Sequence, residues 1–406
     1  MIADPGSFLV VVMIAAFSPL IAALASHWLP GLIVPIVVIE IALGALLGPH
    51  GLKLAKVTGV LSFLATLGLG FLFFFAGYEI DFKRIRGTPL RLAVIGWGIS
   101  LVLAYSIAGV LAAAGIVISG LLTGSAMCTT AIGTILPVMR DTGQLTARFG
   151  PMMLAAGAVG ELGPILIVTL VLSTESDTGT QALLLAAFVL LTILAAVASH
   201  ATIDRAWPFL DRSMDSSGQV PVRLTVLLVF ALVVIASKLG LDIILGAFAA
   251  GLIVRMLLTG HDPNRFESKI DAIGFGFLIP FFFIASGMSL DLAALGGSFS
   301  AVLKVPLFLL GFLVVRGVPA MLLYRDALSR GDRKALALFS ATQLPLVVAI
   351  TSLGVQQGEM RPSTAVALVT AAVLSVLIFP SLAIAVRRPD QQMPAAPELA
   401  VDPATS

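Results

Sequence analysis

Charge is what this chain has least of. Only 11% of its 406 residues are charged, against 59% hydrophobic, and the mean hydropathy is +1.08. A soluble domain carries about a quarter charged residues and has no core large enough to hide so much apolar surface. The net charge of +2 says nothing about a nucleic-acid partner, but no Lys/Arg block exists to meet a phosphate backbone, so none is expected. Cysteine is nearly absent too. The one present, Cys128, lies inside an apolar run, which rules out a disulfide framework or a cysteine-rich metal site. His27, His50, His200 and His261 sit at the ends of apolar runs and form no metal constellation. The opening "MIADPGSFLVVV" lacks a basic n-region and reads as the start of a first span, not a cleaved signal peptide. No polar segment holds a phosphate-cradling glycine loop, so neither a nucleotide nor any other cofactor is expected.

What is there is a succession of apolar runs, most of them close to the 17–25 residues that cross about 30 Å of hydrocarbon. Thirteen spans are expected, at 7–28, 31–48, 57–78, 90–115, 117–138, 150–173, 180–200, 221–238, 241–258, 270–289, 300–323, 333–355 and 362–387. The chain is thus predicted to be an all-α polytopic protein of the lipid bilayer. Basic residues give an independent check, because cytoplasmic loops collect them. Eighteen of the 24 follow odd-numbered spans, among them Lys83, Arg84, Arg86, Arg148, Arg330 and Arg387. Only Lys53, Lys56, Lys238, Lys304 and Arg361 lie on the other side. The N-terminus is accordingly expected outside and the C-terminus inside, in a plasma or inner membrane. Residues 1–388 form one transmembrane domain, and the Pro/Ala-rich tail 389–406 reads as disordered.

Two segments resemble each other. "FLFFFAGYEID" (71–81) aligns with "FFFIASGMSLD" (281–291), matching Gly77 to Gly287 and Asp81 to Asp291. They lie seven spans apart, and an odd separation inserts the second copy upside down. Residues 7–173 and 221–387 then form an inverted pair, with 180–200 as linker, an arrangement that places a transporter's substrate site at the midplane. The repeat also pairs two interrupted spans. "GSAMCTTAIGTILP" crowds Gly124, Thr129, Thr130, Gly133 and Pro137 together, and "FSATQLPLVVA" interrupts its run with Thr342, Gln343 and Pro345. Irregular backbone at membrane depth survives where it packs in protein or lines a cavity.

Three ionisable residues fall deep within spans: Glu161 in "LAAGAVGELGPILIVTL", Glu40 in "PIVVIEIALGALLG" and Arg316 in "FLVVRGVPAML". Such groups are functional or pair with one another. Glu161, Thr129, Thr130 and Gln343 are mid-span, and Arg316 lies somewhat nearer the cytoplasm. A guanidinium keeps its proton in proteins, so Arg316 is expected to hold polar backbone or a carboxylate near the breaks and not to exchange. Glu40 is expected as a hydrogen-bonded structural acid or a residue at the mouth of an ion path.

These stretches, with "PIVVIEIALGALLGPHGL", "FLFFFAGYEIDFKRIRG", "CTTAIGTILPVMRDTG" and "IPFFFIASGMSLDL", resemble the monovalent cation:proton antiporters over residues 30 to 385. These are relatives of sodium/hydrogen exchangers and of the membrane part of potassium-efflux systems. The resemblance implies about thirteen helices, a six-helix core with two crossed broken helices, a dimerisation domain that makes a homodimer, and elevator-like movement of the core. It places the ion- and proton-binding carboxylate at Glu161 and matches the family's span-11 arginine to Arg316. The family usually has Asp, Asn or Gln before that carboxylate, where this chain has Gly160. Relatives with two adjacent aspartates are read as electrogenic, and some carry a lysine where this chain has Gln343. Both departures lead us to expect electroneutral exchange of Na⁺ or K⁺ for H⁺.

Coupling needs little machinery. A carboxylate in a low-dielectric cavity is neutralised by a proton or by a cation, but not readily by both. Thr129 and Thr130 would add the oxygens that hard cations prefer. A channel-like cation pathway and an organic-solute transporter of the same architecture are the rival readings. An intramembrane enzyme would need a catalytic pair that the spans lack.

Overall fold

The computed structural model describes residues 5–28, 34–80, 85–146, 148–172, 207–239, 241, 243–258, 263–291 and 299–387, with isolated positions between 186 and 194. Asp81, most of the linker span 180–200 and the tail 389–406 therefore lie outside the described residues. In chain order the helices are α1 (Pro5–Trp28), α2 (Ile36–Leu47), α3 (Gly59–Tyr78), α4 (Thr88–Ala113), α5 (Gly120–Met127), α6 (Ile132–Asp141) and α7 (Phe149–Leu172). The second half holds α8 (Val220–Lys238), α9 (Ile243–Leu257), α10 (Asn264–Ile273), α11 (Ile279–Met288), α12 (Phe299–Leu323), α13 (Arg330–Ser340), α14 (Pro345–Gln356) and α15 (Pro362–Val386). Among the described residues, nine helical stretches are long and apolar enough to cross a membrane. Three shorter apolar helices, Ile36–Leu47, Gly120–Leu136 and Ile243–Leu257, add to them. The protein is an all-helical, multi-pass membrane protein.

Both expected interruptions are present. The fifth span splits into α5 and α6, with residues 128–131 unwound between them, and the twelfth splits into α13 and α14 around 341–344. Each break has a local cause. Thr129 and Thr130 are β-branched and bond to groups outside the helix, and Pro345 opens α14, where its missing N–H costs nothing. The tenth span differs from expectation. Its helix starts earlier, at Asn264, and passes through a π turn at Gly274–Leu278 between α10 and α11. Pro280 cannot donate to the carbonyl four residues back, and its ring crowds that carbonyl, which widens the preceding turn. Gly274 opens the turn against the Phe75 ring, where a methyl would meet Phe75 Cε2 at 2.2 Å.

The helices pack as two groups. In one, α2, α3, α9 and α11 cross at very short range, since helices in lipid associate by close contact of small residues and not by expelling water. A methyl on Gly251 of α9 would stand 1.9 Å from the Phe74 carbonyl oxygen of α3, and one on Gly77 of α3 would stand 2.1 Å from the Phe248 oxygen of α9. The inverted copy repeats this pattern between α2 and α11. Gly44 faces the Ile284 oxygen and Gly287 faces the Ile41 oxygen, each at 2.3 Å for a built methyl. Gly77 and Gly287, and likewise Phe74 and Ile284, occupy matching places in the repeat. The second group holds α4, α5, α7, α12, α13, α14 and α15 around the two breaks.

Replacing Gly251 or Gly44 by alanine should therefore separate the crossing helices. We expect a loss of about 1–3 kcal/mol or more, seen as a lower melting temperature or aggregated protein on size exclusion. Gly98→Ala on α4, where nothing lies within 4 Å, should be neutral or slightly stabilising. Equal behaviour of Gly251→Ala and Gly98→Ala would refute the close crossing.

Candidate functional site

The two unwound segments meet and satisfy each other. The last carbonyl of α13, Ser340 O, accepts from Thr130 Oγ1 at 2.7 Å. The last carbonyl of α5, Met127 O, accepts from Gln343 Nε2 at 2.9 Å. Thr130 and Gln343 stand at equal distances along the chain from Met127 and Ser340, so each broken helix is capped by a side chain from the inverted copy. Ala131 N donates to Thr342 O at 2.9 Å, and Thr129 Oγ1 lies 3.1 Å from both Ala126 O and Gln343 Oε1. Ser375 of α15 completes the junction by accepting from Gln343 N and lying 3.0 Å from Gln343 O. Backbone groups freed by unwinding are thus paired, as the bilayer interior requires.

Arg316 enters this junction from α12. It is 5% exposed. Its Nε donates to Thr130 Oγ1 at 3.0 Å, Nη1 to Ser100 Oγ at 3.3 Å and Nη2 to Ala156 O at 3.0 Å. Taking a charge out of water costs several kcal/mol, and no carboxylate offsets that cost here among the described residues. Three hydrogen bonds and the negative end of α13, reached through the shared Thr130 hydroxyl, do so instead. Gly160 makes this geometry possible. A methyl there would stand 2.4 Å from Arg316 Nη2 and 2.7 Å from Thr130 Oγ1. The guanidinium occupies the volume that an Asp, Asn or Gln side chain would need.

Glu161 is the next residue on α7 and is 4% exposed. It makes no ion pair with Arg316 among the described contacts, and its Oε2 has no hydrogen-bond partner there. Gly157, one turn earlier on the same face, packs against Ile132, the first residue of α6 (2.6 Å from a built methyl to Cδ1). Glu161 therefore shares the face turned towards the positive N-terminal end of a half-helix. Thr130 N donates to Gly160 O at 2.9 Å, which ties the unwound segment to the carboxylate's own helix. Across the boundary between the two helix groups, the Glu79 carboxylate lies over Gly133 of α6, 3.7 Å from a built methyl, and is close enough to act electrostatically on Glu161.

Glu79 was not singled out in the sequence, where it looked like an ordinary residue at a span end. The repeat alignment held the signal, for Glu79 in "FFFAGYEID" stands opposite Ser289 in "FFIASGMSLD". Ser289 lines a cavity of about 330 Å³ on the opposite face, with Ser62, Thr66, Ser286, Ser352 and Gln356 around it. Glu161 is not among the residues that line this cavity. Glu40 stands apart on α2, where its Oε1 accepts from the buried Ser18 hydroxyl of α1 at 3.3 Å.

Two broken helices thus meet beside a buried carboxylate and a buried guanidinium, inside a protein whose helices are long and apolar enough to cross a membrane. The "sodium/hydrogen exchanger, transmembrane" family matches residues 12–386, and the chain belongs to that family. Among curated relatives it is 29% identical to the putative Na(+)/H(+) antiporter YjbQ of Bacillus subtilis, over 92% of this chain and 61% of that protein. It is 24% identical to the Na(+)/H(+)-K(+) antiporter GerN of Bacillus cereus, over 86% of this chain and 89% of GerN. With the glutathione-regulated potassium-efflux protein KefC of Klebsiella pneumoniae it shares 27% over 85% of this chain and 55% of KefC. The chain thus spans a little over half the length of YjbQ and KefC. The solved structure of the sodium proton antiporter MjNhaP1 from Methanocaldococcus jannaschii superposes with a TM-score of 0.63 at 15% identity, over 94% of this chain and 95% of that one. The fold is the sodium/proton antiporter fold.

Gly160→Asn, which restores a family-like side chain, should collide with Arg316 and Thr130 and lower the melting temperature by the equivalent of about 1–3 kcal/mol. Gln343→Ala should cost a similar amount, since it leaves the Met127 carbonyl without a partner, about 1–3 kcal/mol for a buried acceptor. Wild-type melting of both variants would contradict the capped junction.

Proposed function

We propose that this protein is a secondary active antiporter that exchanges a monovalent cation, Na⁺ or K⁺, for a proton, with Glu161 as the single exchanged site. The observation that carries the proposal is a buried carboxylate with an unpartnered oxygen beside the unwound junction, in a chain of the sodium/hydrogen exchanger family. The relatives YjbQ and GerN, named as Na(+)/H(+) and Na(+)/H(+)-K(+) antiporters, support the same reading.

An empty, charged Glu161 is costly where it stands. It is desolvated, it has no ion pair among the described residues, and Glu79 adds like-charge repulsion. A proton or a monovalent cation removes that cost, and the two exclude each other at one carboxylate. Movement of the core then requires a load, so a gradient of one ion drives the other. Arg316 keeps its charge throughout and serves to hold the junction. Thr130 is committed to Arg316 and Ser340, so it acts on the ion through position, whereas the Thr129 oxygen keeps lone pairs for a cation. Glu79, on the helix group that the core moves against, assists from the cytoplasmic side. Glu40 serves to pack α2 against α1.

One titratable group per cycle makes the exchange electroneutral, one cation for one proton. The protein works as a homodimer in a plasma or inner membrane, with the N-terminus outside and the C-terminus in the cytoplasm. Residues 1–388 act as one transport domain with inverted halves, 180–200 linking them and 389–406 trailing into the cytoplasm.

In proteoliposomes carrying a pH-sensitive dye, added Na⁺ or K⁺ should dissipate a proton gradient at a rate unaffected by an imposed membrane potential. Glu161→Gln should abolish this flux in folded protein, while Glu161→Asp retains part of it. Full exchange by Glu161→Gln would reject the assignment, and a voltage-driven current would mark a channel instead.

A further inference from the structure

In the sequence Arg387 counts only as one of the basic residues that orient the chain, yet in the structure it is fully engaged. Arg387, which follows α15, is 9% exposed at its side chain. Its Nε donates to Asp332 Oδ1 at 2.8 Å, Nη1 to Gln144 Oε1 at 2.9 Å and to the Gln144 carbonyl, and Nη2 to Thr146 Oγ1 at 2.8 Å. Its Cζ lies 4.0 Å above the centre of the Phe149 ring. One planar group thus gathers the end of α15, the first turn of α13 and the segment leading into α7. Lysine has neither the fork nor the flat face to do this.

The contacts continue inward. Phe149 is the first residue of α7 and is fully buried, and its ring centre lies 6.3 Å from that of Phe339. Phe339 precedes Ser340, whose carbonyl accepts from Thr130 Oγ1. Thr130 in turn accepts from Arg316 and donates its backbone N–H to Gly160, the neighbour of Glu161. An unbroken series of contacts therefore runs from the cytoplasmic surface to the midplane site: Arg387, Phe149, Phe339, Ser340, Thr130. Interiors packed at this density transmit small displacements instead of absorbing them.

We propose that Arg387 is a positioning residue for ion exchange, setting through the Phe149–Phe339 pair where the end of α13 holds Thr130 beside Glu161. The inference rests on Glu161 being the exchanged site. Arg387→Lys keeps the charge and loses the fork and the stacking. It should yield folded protein whose apparent KM for the transported cation rises about three- to tenfold, the size of effect seen when a contact leading to a site is altered. Phe149→Leu, which preserves burial and removes the ring, should raise KM in the same direction. Combined with Arg387→Lys it should add little, because both break one series.

A merely structural clamp would lower yield or melting temperature and leave KM per folded protein unchanged. That result in Arg387→Lys overturns the proposal, as do independent, additive effects in the double variant. If Arg387→Lys does not fold, an unchanged KM in Phe149→Leu overturns it and a raised one supports it. Glu161→Gln measured in parallel separates the two levels: retained exchange there rejects the antiporter site whatever Arg387 does.

Discussion

A buried guanidinium, with no acid beside it among the described residues, is the constraint on which the centre of this protein depends. Arg316 costs several kcal/mol to desolvate, and its three bonds to Thr130, Ser100 and Ala156 come from three different elements. Those partners must all be in place at once, which forces the unwound segment, α4 and α7 into one arrangement. Among the described residues no carboxylate neutralises the arginine, and Glu161 keeps an oxygen without a partner. In a buried Arg–Glu pair the acid would be held by the arginine and poorly placed for the exchange proposed above.

The inverted repeat solves two packing problems with one device each. Close helix contact is achieved twice by reciprocal glycines, Gly77 with Gly251 and Gly44 with Gly287. The loose ends of broken helices are closed twice by a side chain from the other copy, Thr130 on Ser340 and Gln343 on Met127. The symmetry lapses at one matched position. Glu79 in one copy stands opposite Ser289 in the other, so the Glu79 face brings an acid towards the site, while the Ser289 face opens into a cavity lined by hydroxyls and an amide.

Much of this was legible in the residues. Apolar runs of membrane length gave the helices, and "MCTTAIG" and "ATQLP" marked the breaks because β-branched, glycine and proline residues stand where a helix should continue. Glu161 and Arg316 stood out because charge in an apolar run is rare. What stayed hidden depends on which helices approach which. The π turn before Pro280 looked like ordinary span, the glycine crossings looked like unremarkable small residues, and Glu79 passed as a residue at the membrane edge. Arg387 counted only as one more basic residue on the expected cytoplasmic side, since the sequence carries no sign that Phe149, Asp332 and Gln144 come within its reach. Ser100 and Ser375 were missed for the same reason: a lone serine in an apolar helix says nothing until its partner is known.

Gly160 carries a consequence for how such proteins diverge. Every glycine codon is one base from a codon for aspartate or glutamate, so an adjacent-acid form of this site is a single nucleotide away. The guanidinium and the Thr130 hydroxyl already fill the room that the new side chain would need. The first step therefore produces a damaged intermediate unless position 316 or 130 has changed beforehand. At this position the order in which mutations arrive matters more than their distance in the genetic code.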